Sequence, residues 1–165
     1  MPDTDDRILI RQMEADDIPY IARWMVELPL FQRYGATVDG AMRMLQGGLA
    51  TGAWLLVADV GPHRAIGFAW CLPDGAFGRS PYLRQIAVRP DRAGVGIGGA
   101  LLHAVEARAH EHNADHLLLL VSDFNEPAQH FYRRLGYAQV GALPGYVLPD
   151  VAELIYYKRL KPWNG

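Results

Sequence analysis

Four glycines lie within six residues of this chain, at Gly94, Gly96, Gly98 and Gly99. Because glycine has no side chain to cover the backbone, the N–H groups of such a segment stay accessible to a ligand. The residues that follow are predicted to form a helix, whose N-terminus adds the positive end of its dipole. This combination binds phosphate or pyrophosphate groups. A helix entry that only requires positive φ is the alternative, purely structural interpretation.

Three of these glycines also fit the G-x-G-x-x-G fingerprint of dinucleotide-binding proteins, namely Gly94, Gly96 and Gly99. That fingerprint expects its first glycine directly after a strand, whereas the preceding strand is predicted here to end near Val88. The ribose-binding acid expected about twenty residues further on would be Asp123, which lies later than that. A nucleotide-binding oxidoreductase is therefore the weaker alternative.

The segment Asn125–Tyr137 combines a helix start with a phenol. Asn125 is predicted to cap a helix that tolerates Pro127 in its first turn and ends at Gly136. Four side chains at i, i+3, i+4 and i+7 form an apolar stripe on this helix, namely Ala128, Phe131, Tyr132 and Leu135. The Tyr132 hydroxyl is a candidate proton donor. Core packing with a satisfied hydroxyl is the competing interpretation.

Hydrophobic periodicity predicts the strands that position these two segments. They are Arg7–Met13, Ala53–Val60, Ala65–Leu72, Tyr82–Val88, Leu117–Val121, Tyr137–Ala142 and Glu153–Leu160. Gly61 and Pro62 indicate a hairpin between the second and third strands, and Pro73–Pro81 is predicted as a loop. The continuous apolar run Leu117–Val121 is typical of a strand buried on both faces.

Four helices complete the prediction. The first follows an N-cap at Asp16 or Asp17 and is stopped by Pro29, and the second runs from Val38 to about Leu49. The glycine cluster opens the third helix, and Asn125 caps the fourth. The resulting order, β-α-α-β-β-β-α-β-α-β-β, predicts a single α/β domain over residues 1–165, with a mixed sheet that carries helices on its faces.

Composition limits the classes of function. Sixteen Lys and Arg against eighteen Asp and Glu give a formal charge of −2, which argues against nucleic acid or an anionic membrane as the main partner. The single cysteine, Cys71, cannot form an internal disulfide, so nothing requires an oxidising compartment. Residues 1–7 are acidic and polar, unlike a signal peptide, and no apolar run reaches the length of a membrane span. A cytoplasmic protein is expected.

Both motifs resemble those of one family. Ile86–Asp91, followed by Gly94–Gly98, resembles the acetyl-CoA motif of the GNAT superfamily of N-acetyltransferases, a strand, a Pro-containing turn and a Gln/Arg-x-x-Gly-x-Gly/Ala loop. Asn125–Tyr137 resembles its second motif, Asn-x-x-Ala-x-x-Phe-Tyr-x-x-Leu-Gly-Phe/Tyr. The resemblance implies the GNAT fold, a mixed, mostly antiparallel sheet of six to seven strands with helices on both faces.

The resemblance also implies acetyl-CoA, or a close acyl-CoA, as co-substrate and direct attack by a primary amine in a ternary complex. It implies cofactor contacts from the end of the fourth strand, the glycine loop and the second motif: Ile86, Ala87, Val88, Arg92, Ala93, Gly94, Val95, Gly96, Ile97, Gly98, Gly99, Asn125 and Tyr132. Backbone N–H groups around Ile86–Val88 would stabilise the developing oxyanion, aided by a bulge that parts the fourth and fifth strands. Tyr132 would be the general acid that protonates the departing thiolate.

Two departures from the family pattern affect the chemistry. Ala93 stands where the loop motif usually has Gln or Arg, and Arg92, one place earlier, is the candidate replacement for that charge. The Glu often found on the fourth strand is replaced by Arg84 and Gln85, so the general base is open. Its candidates are Glu27, Asp74, Glu153 or a chain of ordered waters. A catalytically silent acyl-CoA-binding or regulatory module is the second function that fits.

The sequence indicates the residues of the acceptor pocket less clearly than those of the donor site. The resemblance places the acceptor pocket near Phe31 and Tyr34, with surface packing as an equal interpretation. A small amine, an aminoglycoside, an amino acid or a protein amine are all open as acceptor, and a homodimer is an open alternative to a monomer. No metal is expected, because side chains at i and i+2 of a helix diverge, as would those of His110 and His112; His116 follows four residues later.

Overall fold

The computed structural model of the chain describes residues 7–162. The acidic residues 1–6, which entered the signal-peptide argument, and residues 163–165 lie outside the described part. Seven strands lie within these described residues: β1 Ile8–Gln12, β2 Trp54–Val60, β3 His63–Ala76, β4 Ser80–Val88, β5 His116–Ser122, β6 Ala138–Pro144 and β7 Ala152–Arg159. Five helices accompany them: α1 Ile18–Met25, α2 Pro29–Arg33, α3 Val38–Ala50, α4 Ile97–Glu111 and α5 Glu126–Arg134.

The strands form one seven-stranded sheet in the order β1-β2-β3-β4-β5-β7-β6. β1 pairs with β2, β2 with β3, β5 with β7 and β6 with β7, all antiparallel. β4 and β5 pair in parallel, through Tyr82↔Leu118 and Leu83↔Leu119. The predicted mixed, mostly antiparallel sheet of six to seven strands is therefore confirmed.

Two details of the predicted element order are wrong. The chain has one helix more than predicted, because Pro29 begins α2 rather than stopping α1, which already ends at Met25. Proline is suited to the first turn of a helix, where its missing N–H costs nothing. The predicted loop Pro73–Pro81 is also wrong, because β3 continues to Ala76 and β4 begins at Ser80. A tight turn with Phe77 and Gly78 at positive φ connects the two strands.

The chain divides into two compact units. Unit 1 comprises residues 7–71 and Gln85–Val105, and its core is built from fully buried side chains of β2, β3, α1, α3 and α4, including Ile21, Leu45, Leu55, Phe68 and Leu101. Apolar residues of α1 and α4 thus face this core. The indole N–H of Trp24 donates to the carbonyl of Ala65 at 3.0 Å, which satisfies its buried polar atom.

A buried carboxylate ties the first elements of unit 1 together. The Asp17 side chain is fully buried and forms ion pairs with Arg11 at 2.8 Å and with Arg64 at 2.6 Å. Burial by itself raises the pKa of this carboxyl, but hydrogen bonds from Arg11, from the Glu14 amide and from Arg64 outweigh it and lower the pKa to about 2. Asp17 takes the N-cap position of α1 as predicted, but its carboxylate makes no capping hydrogen bond to that helix and is directed to these partners instead.

Unit 2 comprises Leu72–Arg84 and residues 106–162. β5, β7 and β6 form its sheet, with Tyr156 of β7 and Leu117 and Leu119 of β5 buried. The prediction that β5 is buried on both faces is wrong: burial alternates along the strand, and Leu118 and Leu120 are only half-buried.

Candidate active site

The glycine loop of unit 1 begins at a rigid turn. The Arg89 N–H donates to the Ile66 carbonyl at 2.7 Å, which fixes the end of β4 to β3. Pro90–Arg92 then form one turn of 3-10 helix. The Arg89 guanidinium pairs with Asp91 at 2.6 Å, whereas Arg92 stands 4.0 Å from the same carboxylate. Because Asp91 is held mainly by Arg89, the Arg92 charge remains available to an anion.

The glycines of the loop are required by backbone conformation at two positions. Gly94 has φ +80° and Gly96 has φ +88°, which L side chains adopt only with strain. A Cβ atom added at Gly94, Gly96 or Gly99 would meet nothing within 4 Å. These glycines therefore do not serve close packing within the protein. The open space next to the backbone is what a ligand phosphate needs for close approach, so the residues fit a pyrophosphate group.

The helix that follows is firmly anchored in unit 1. Ile97 and Leu101 of α4 are buried, and both pack against Gly67 of β3. A Cβ atom at Gly67 would lie 2.9 Å from Ile97 and 3.1 Å from Leu101, so only glycine lets the helix approach this closely. The first turn of α4, with its N–H groups and the positive end of the helix dipole, is thereby fixed directly after the glycine loop.

The other cofactor-contact residues predicted in unit 1 surround this loop. Ala87 is buried in β4, and Ile86 and Val88 are half-buried beside it. Ala93 and Val95 are exposed, and Gly98 is half-buried in the first turn of α4. The oxyanion role of the backbone N–H groups at Ile86–Val88, and the parting of β4 from β5, stay predictions.

The second motif forms α5 in unit 2 as predicted. Asn125 caps the helix, with its side-chain oxygen accepting from the Ala128 N–H at 3.3 Å. Pro127 lies in the first turn, and Gly136 follows the helix at φ +91°. The cap fixes where α5 starts, and therefore which of its residues face the sheet.

Tyr132 is the buried aromatic residue of α5. Its ring makes edge contacts with Phe131 at 5.1 Å and with Tyr137 at 5.6 Å, and lies 6.5 Å from Tyr156. Burial raises the pKa of the Tyr132 phenol strongly, and the nearby Tyr82 adds to this. The phenol therefore stays protonated across the physiological pH range, which is the state that a proton or hydrogen-bond donor needs.

The structure separates the three predicted candidates for the base. Glu27, which follows α1, and Asp74 of β3 are exposed, whereas Glu153 of β7 is buried. Glu153 stands opposite Ser122 of β5, whose hydroxyl donates to its two carboxylate oxygens at 3.3 and 3.4 Å. Ser122 was not among the predicted site residues. The available signal was a polar residue that ends an otherwise apolar strand.

The remaining predictions concern the acceptor and metals. Phe31 is buried in α2, so the side chain packs within unit 1, and Tyr34 directly after that helix is half-buried. His110 lies on α4, and His116 begins β5. In the described part of the chain, no group of three or more His, Cys, Asp or Glu side chains could hold a metal ion. No helix among residues 7–162 is long and apolar enough to span a membrane.

Comparison with known proteins gives one family. The profile of the Acetyltransferase (GNAT) family matches residues 22–137. A streptothricin acetyltransferase from Streptomyces lavendulae is 42% identical over 59 residues, which span 36% of this chain and 31% of that relative. The aligned part thus covers about a third of the curated relative's length.

Two crystal structures extend this comparison. Nourseothricin acetyltransferase is similar with a TM-score of 0.62 and 27% identity, over 68% of each chain. An aminoglycoside 6'-N-acetyltransferase complexed with coenzyme A is similar with a TM-score of 0.75, at 17% identity over 95% of this chain and 99% of that one. The second likeness concerns the fold alone.

Proposed function

Because the chain belongs to the Acetyltransferase (GNAT) family, we propose that it is an N-acetyltransferase that moves an acetyl group from acetyl-CoA to a primary amine. The observation that carries the proposal is the glycine loop, whose conformation requires glycine while the space beside it is open. The family match spans parts of both units, which supports one catalytic domain over the whole chain. We include a cytoplasmic location in the same proposal.

The residues of unit 1 would hold the donor. Backbone N–H groups from Gly94 to Gly99 and the first turn of α4 bind the pyrophosphate, with Arg92 supplying the positive charge that Ala93 lacks. N–H groups at Ile86–Val88 stabilise the negative charge that develops on the thioester oxygen during attack. Acetyl-CoA supplies the activated acetyl group, and these residues bind and orient it.

Residues of unit 2 would take part in proton transfer to the leaving group. The Tyr132 phenol, which burial keeps protonated, donates a hydrogen bond to the sulfur as the thiolate departs. A thiolate that resembles free cysteine, with a pKa of about 8.5, is a better leaving group when such a donor is present. Asn125, besides capping α5, is assigned to the pantetheine arm by its place in the second motif.

For the acceptor, we propose a small cationic amine of the streptothricin type. The support is sequence likeness to a streptothricin acetyltransferase and structural likeness to nourseothricin acetyltransferase, each above 25% identity. Other small amines, aminoglycosides, amino acids and protein amines serve as comparison acceptors in the experiments below.

Thermal unfolding of the purified protein tests the donor site. At about 100 times its dissociation constant, a ligand adds about 2.7 kcal/mol to stability, which raises Tm by about 5–10 °C for a chain of this size. We expect acetyl-CoA and CoA to give this increase and NAD and NADP to give none. An increase with NAD alone would instead identify a nucleotide-binding oxidoreductase.

A further inference from the structure

The Gln85 side chain of β4 carries a polar atom that the fold does not use. Its Oε1 atom is buried and has no hydrogen-bond partner in the described part of the chain. A buried carbonyl oxygen without a partner costs free energy, and most buried polar atoms in native proteins are therefore paired. The residue as a whole is only half-buried, so part of it remains accessible to solvent. Gln85 is thus a partly accessible polar side chain whose hydrogen-bonding capacity the fold leaves unused.

Folding gives no evident reason for a glutamine at this position. Gln85 lies in the interior of a strand, where it serves neither as a helix cap nor as a turn residue. Ala87, two residues further along the same strand, is buried and apolar. A methionine or a leucine of similar volume would fill the place of Gln85 without burying an unpaired oxygen. The glutamine therefore indicates a partner outside the chain.

Gln85 directly precedes the segment that the proposed function assigns to the donor. Ile86–Val88, next along β4, would stabilise the thioester oxygen, and the glycine loop follows after one turn of 3-10 helix. All of these residues belong to unit 1, within its second segment Gln85–Val105. A donor that extends from the glycine loop to Ile86–Val88 is therefore bound within a few residues of Gln85.

The chemistry of acetyl-CoA identifies the group that an extra acceptor would serve. The pantetheine arm joins the pyrophosphate to the thioester and contains secondary amides, whose N–H groups need acceptors once the arm leaves water. The pyrophosphate and the thioester oxygen are themselves acceptors, and the proposed function matches them to backbone N–H groups of unit 1. Because Gln85 Oε1 is an acceptor, it complements the amide N–H groups of the arm.

The oxygen can reach such a donor by rotation of its own amide group. The terminal torsion of a glutamine side chain is broad and roughly two-fold, so oxygen and nitrogen exchange places with little strain. Rotation would cost more if the oxygen already accepted a hydrogen bond, but Oε1 has none to lose within residues 7–162. Because the residue is half-buried, the rotated amide can present its oxygen on the accessible side.

We propose that Gln85 accepts a hydrogen bond from an amide N–H of the pantetheine arm and so is a further donor-binding residue. This inference rests on the proposed function, which it deepens by adding a side chain that recognises the arm rather than the phosphates. Binding of the arm gains the hydrogen bond and at the same time removes the cost of the unpaired oxygen.

Gln85→Met tests the inference by its effects on stability and on affinity, which should differ in sign. Methionine has a similar length and volume but no amide, so the protein without ligand loses only an unpaired oxygen. We expect the Tm of Q85M to equal or exceed that of the wild type, and its affinity for acetyl-CoA to fall about 10-fold or more. Thermal unfolding and isothermal titration measure the two effects. Wild-type affinity would overturn the inference, and so would a clearly lower Tm, because Oε1 would then be paired in the free protein by an ordered water.

A ligand without the arm provides the second readout. The nucleotide 3′-phospho-ADP has the pyrophosphate of CoA but no pantetheine, so the wild type and Q85M should bind it equally while they differ for CoA. Gly96→Ala, which changes the glycine loop, should weaken binding of both ligands. Equal losses for CoA and 3′-phospho-ADP in Q85M would mean that the substitution disturbs the loop, and would overturn the inference. Failure of the wild-type protein to bind acetyl-CoA would overturn the proposed function as well.

Tyr156→Phe is the matched control. The Tyr156 hydroxyl is also buried without a hydrogen-bond partner among residues 7–162, but this residue is fully buried in β7 of unit 2. A phenol oxygen lies on the axis of its ring, so rotation cannot bring it to the surface. Y156F should keep or raise Tm and bind acetyl-CoA with wild-type affinity, and a loss as large as that of Q85M would contradict a specific role of Gln85. If Q85M is too unstable to measure, Gln85→Leu removes the same amide and should lose the same affinity.

Discussion

Replacement of Tyr132 by phenylalanine is expected to lower kcat for acetyl transfer by about 10²–10⁴-fold while acetyl-CoA affinity stays unchanged. The substitution removes only the hydroxyl, and the ring contacts with Phe131, Tyr137 and Tyr156 remain. The phenol is buried with a raised pKa, so the wild-type enzyme has its donor fully protonated, whereas Y132F has none. Steady-state kinetics with acetyl-CoA, together with the Tm shift on ligand binding, measure the two effects separately.

Tyr137→Phe is the control for this prediction. Tyr137 lies against the Tyr132 ring, but its own hydroxyl donates to Glu106 at 2.8 Å. Y137F should therefore lose about 1.5–3 kcal/mol of stability, which is what a hydrogen bond to a charged group contributes, and should keep its kcat. If Y132F retained the wild-type kcat, Tyr132 would be a core residue and the general acid would be another group.

Gly96→Ala is expected to weaken acetyl-CoA binding by about 10- to 100-fold. At φ +88° an alanine is strained by about 1–2 kcal/mol, and relief of that strain turns the peptide N–H groups of the loop away from the phosphates. Each lost hydrogen bond to a charged group removes about 1.5–3 kcal/mol of binding free energy. Isothermal titration of the variant with acetyl-CoA and with CoA measures this loss, which should be the same for both ligands.

Gly52→Ala separates backbone strain from ligand contact. Gly52 follows α3 at φ +74°, and an added Cβ there also meets nothing within 4 Å. G52A should show a loss of Tm similar to that of G96A and wild-type affinity for acetyl-CoA. Wild-type affinity in G96A as well would mean that the glycine loop only opens the helix and that the donor is held elsewhere.

Much of the fold was predictable because periodicity and turn residues act locally. The α3 and α5 helices were placed by spacing, by the Asn125 cap and by Gly136, and the structure confirms them. The errors arise where local rules permit two outcomes. Pro29 can stop a helix or begin one, and in the structure it is the first residue of α2. The sequence predicts that the Asp17 carboxylate caps α1, but in the structure this carboxylate forms ion pairs with Arg11 and Arg64.

The candidate site was predictable to the extent that it depends on backbone. The positive φ values of Gly94 and Gly96 follow from residue type, which is why the loop could be found from the sequence. The sequence could not distinguish Glu153 from Glu27 and Asp74 as a candidate base, because the neighbouring residues do not show whether a carboxylate on a strand is buried. Its pairing with Ser122 depends on the β5–β7 register, which joins residues more than thirty positions apart.

Release of free thiol from acetyl-CoA in the presence of a primary amine tests the central claim most directly. The wild-type protein should release thiol only when both acetyl-CoA and an amine are present, in an amount equal to the amide formed, and fastest with streptothricin among the acceptors compared. Binding of acetyl-CoA without thiol release across streptothricin, aminoglycosides, amino acids and peptides would contradict the claim, and would identify the chain as a catalytically silent acyl-CoA-binding module.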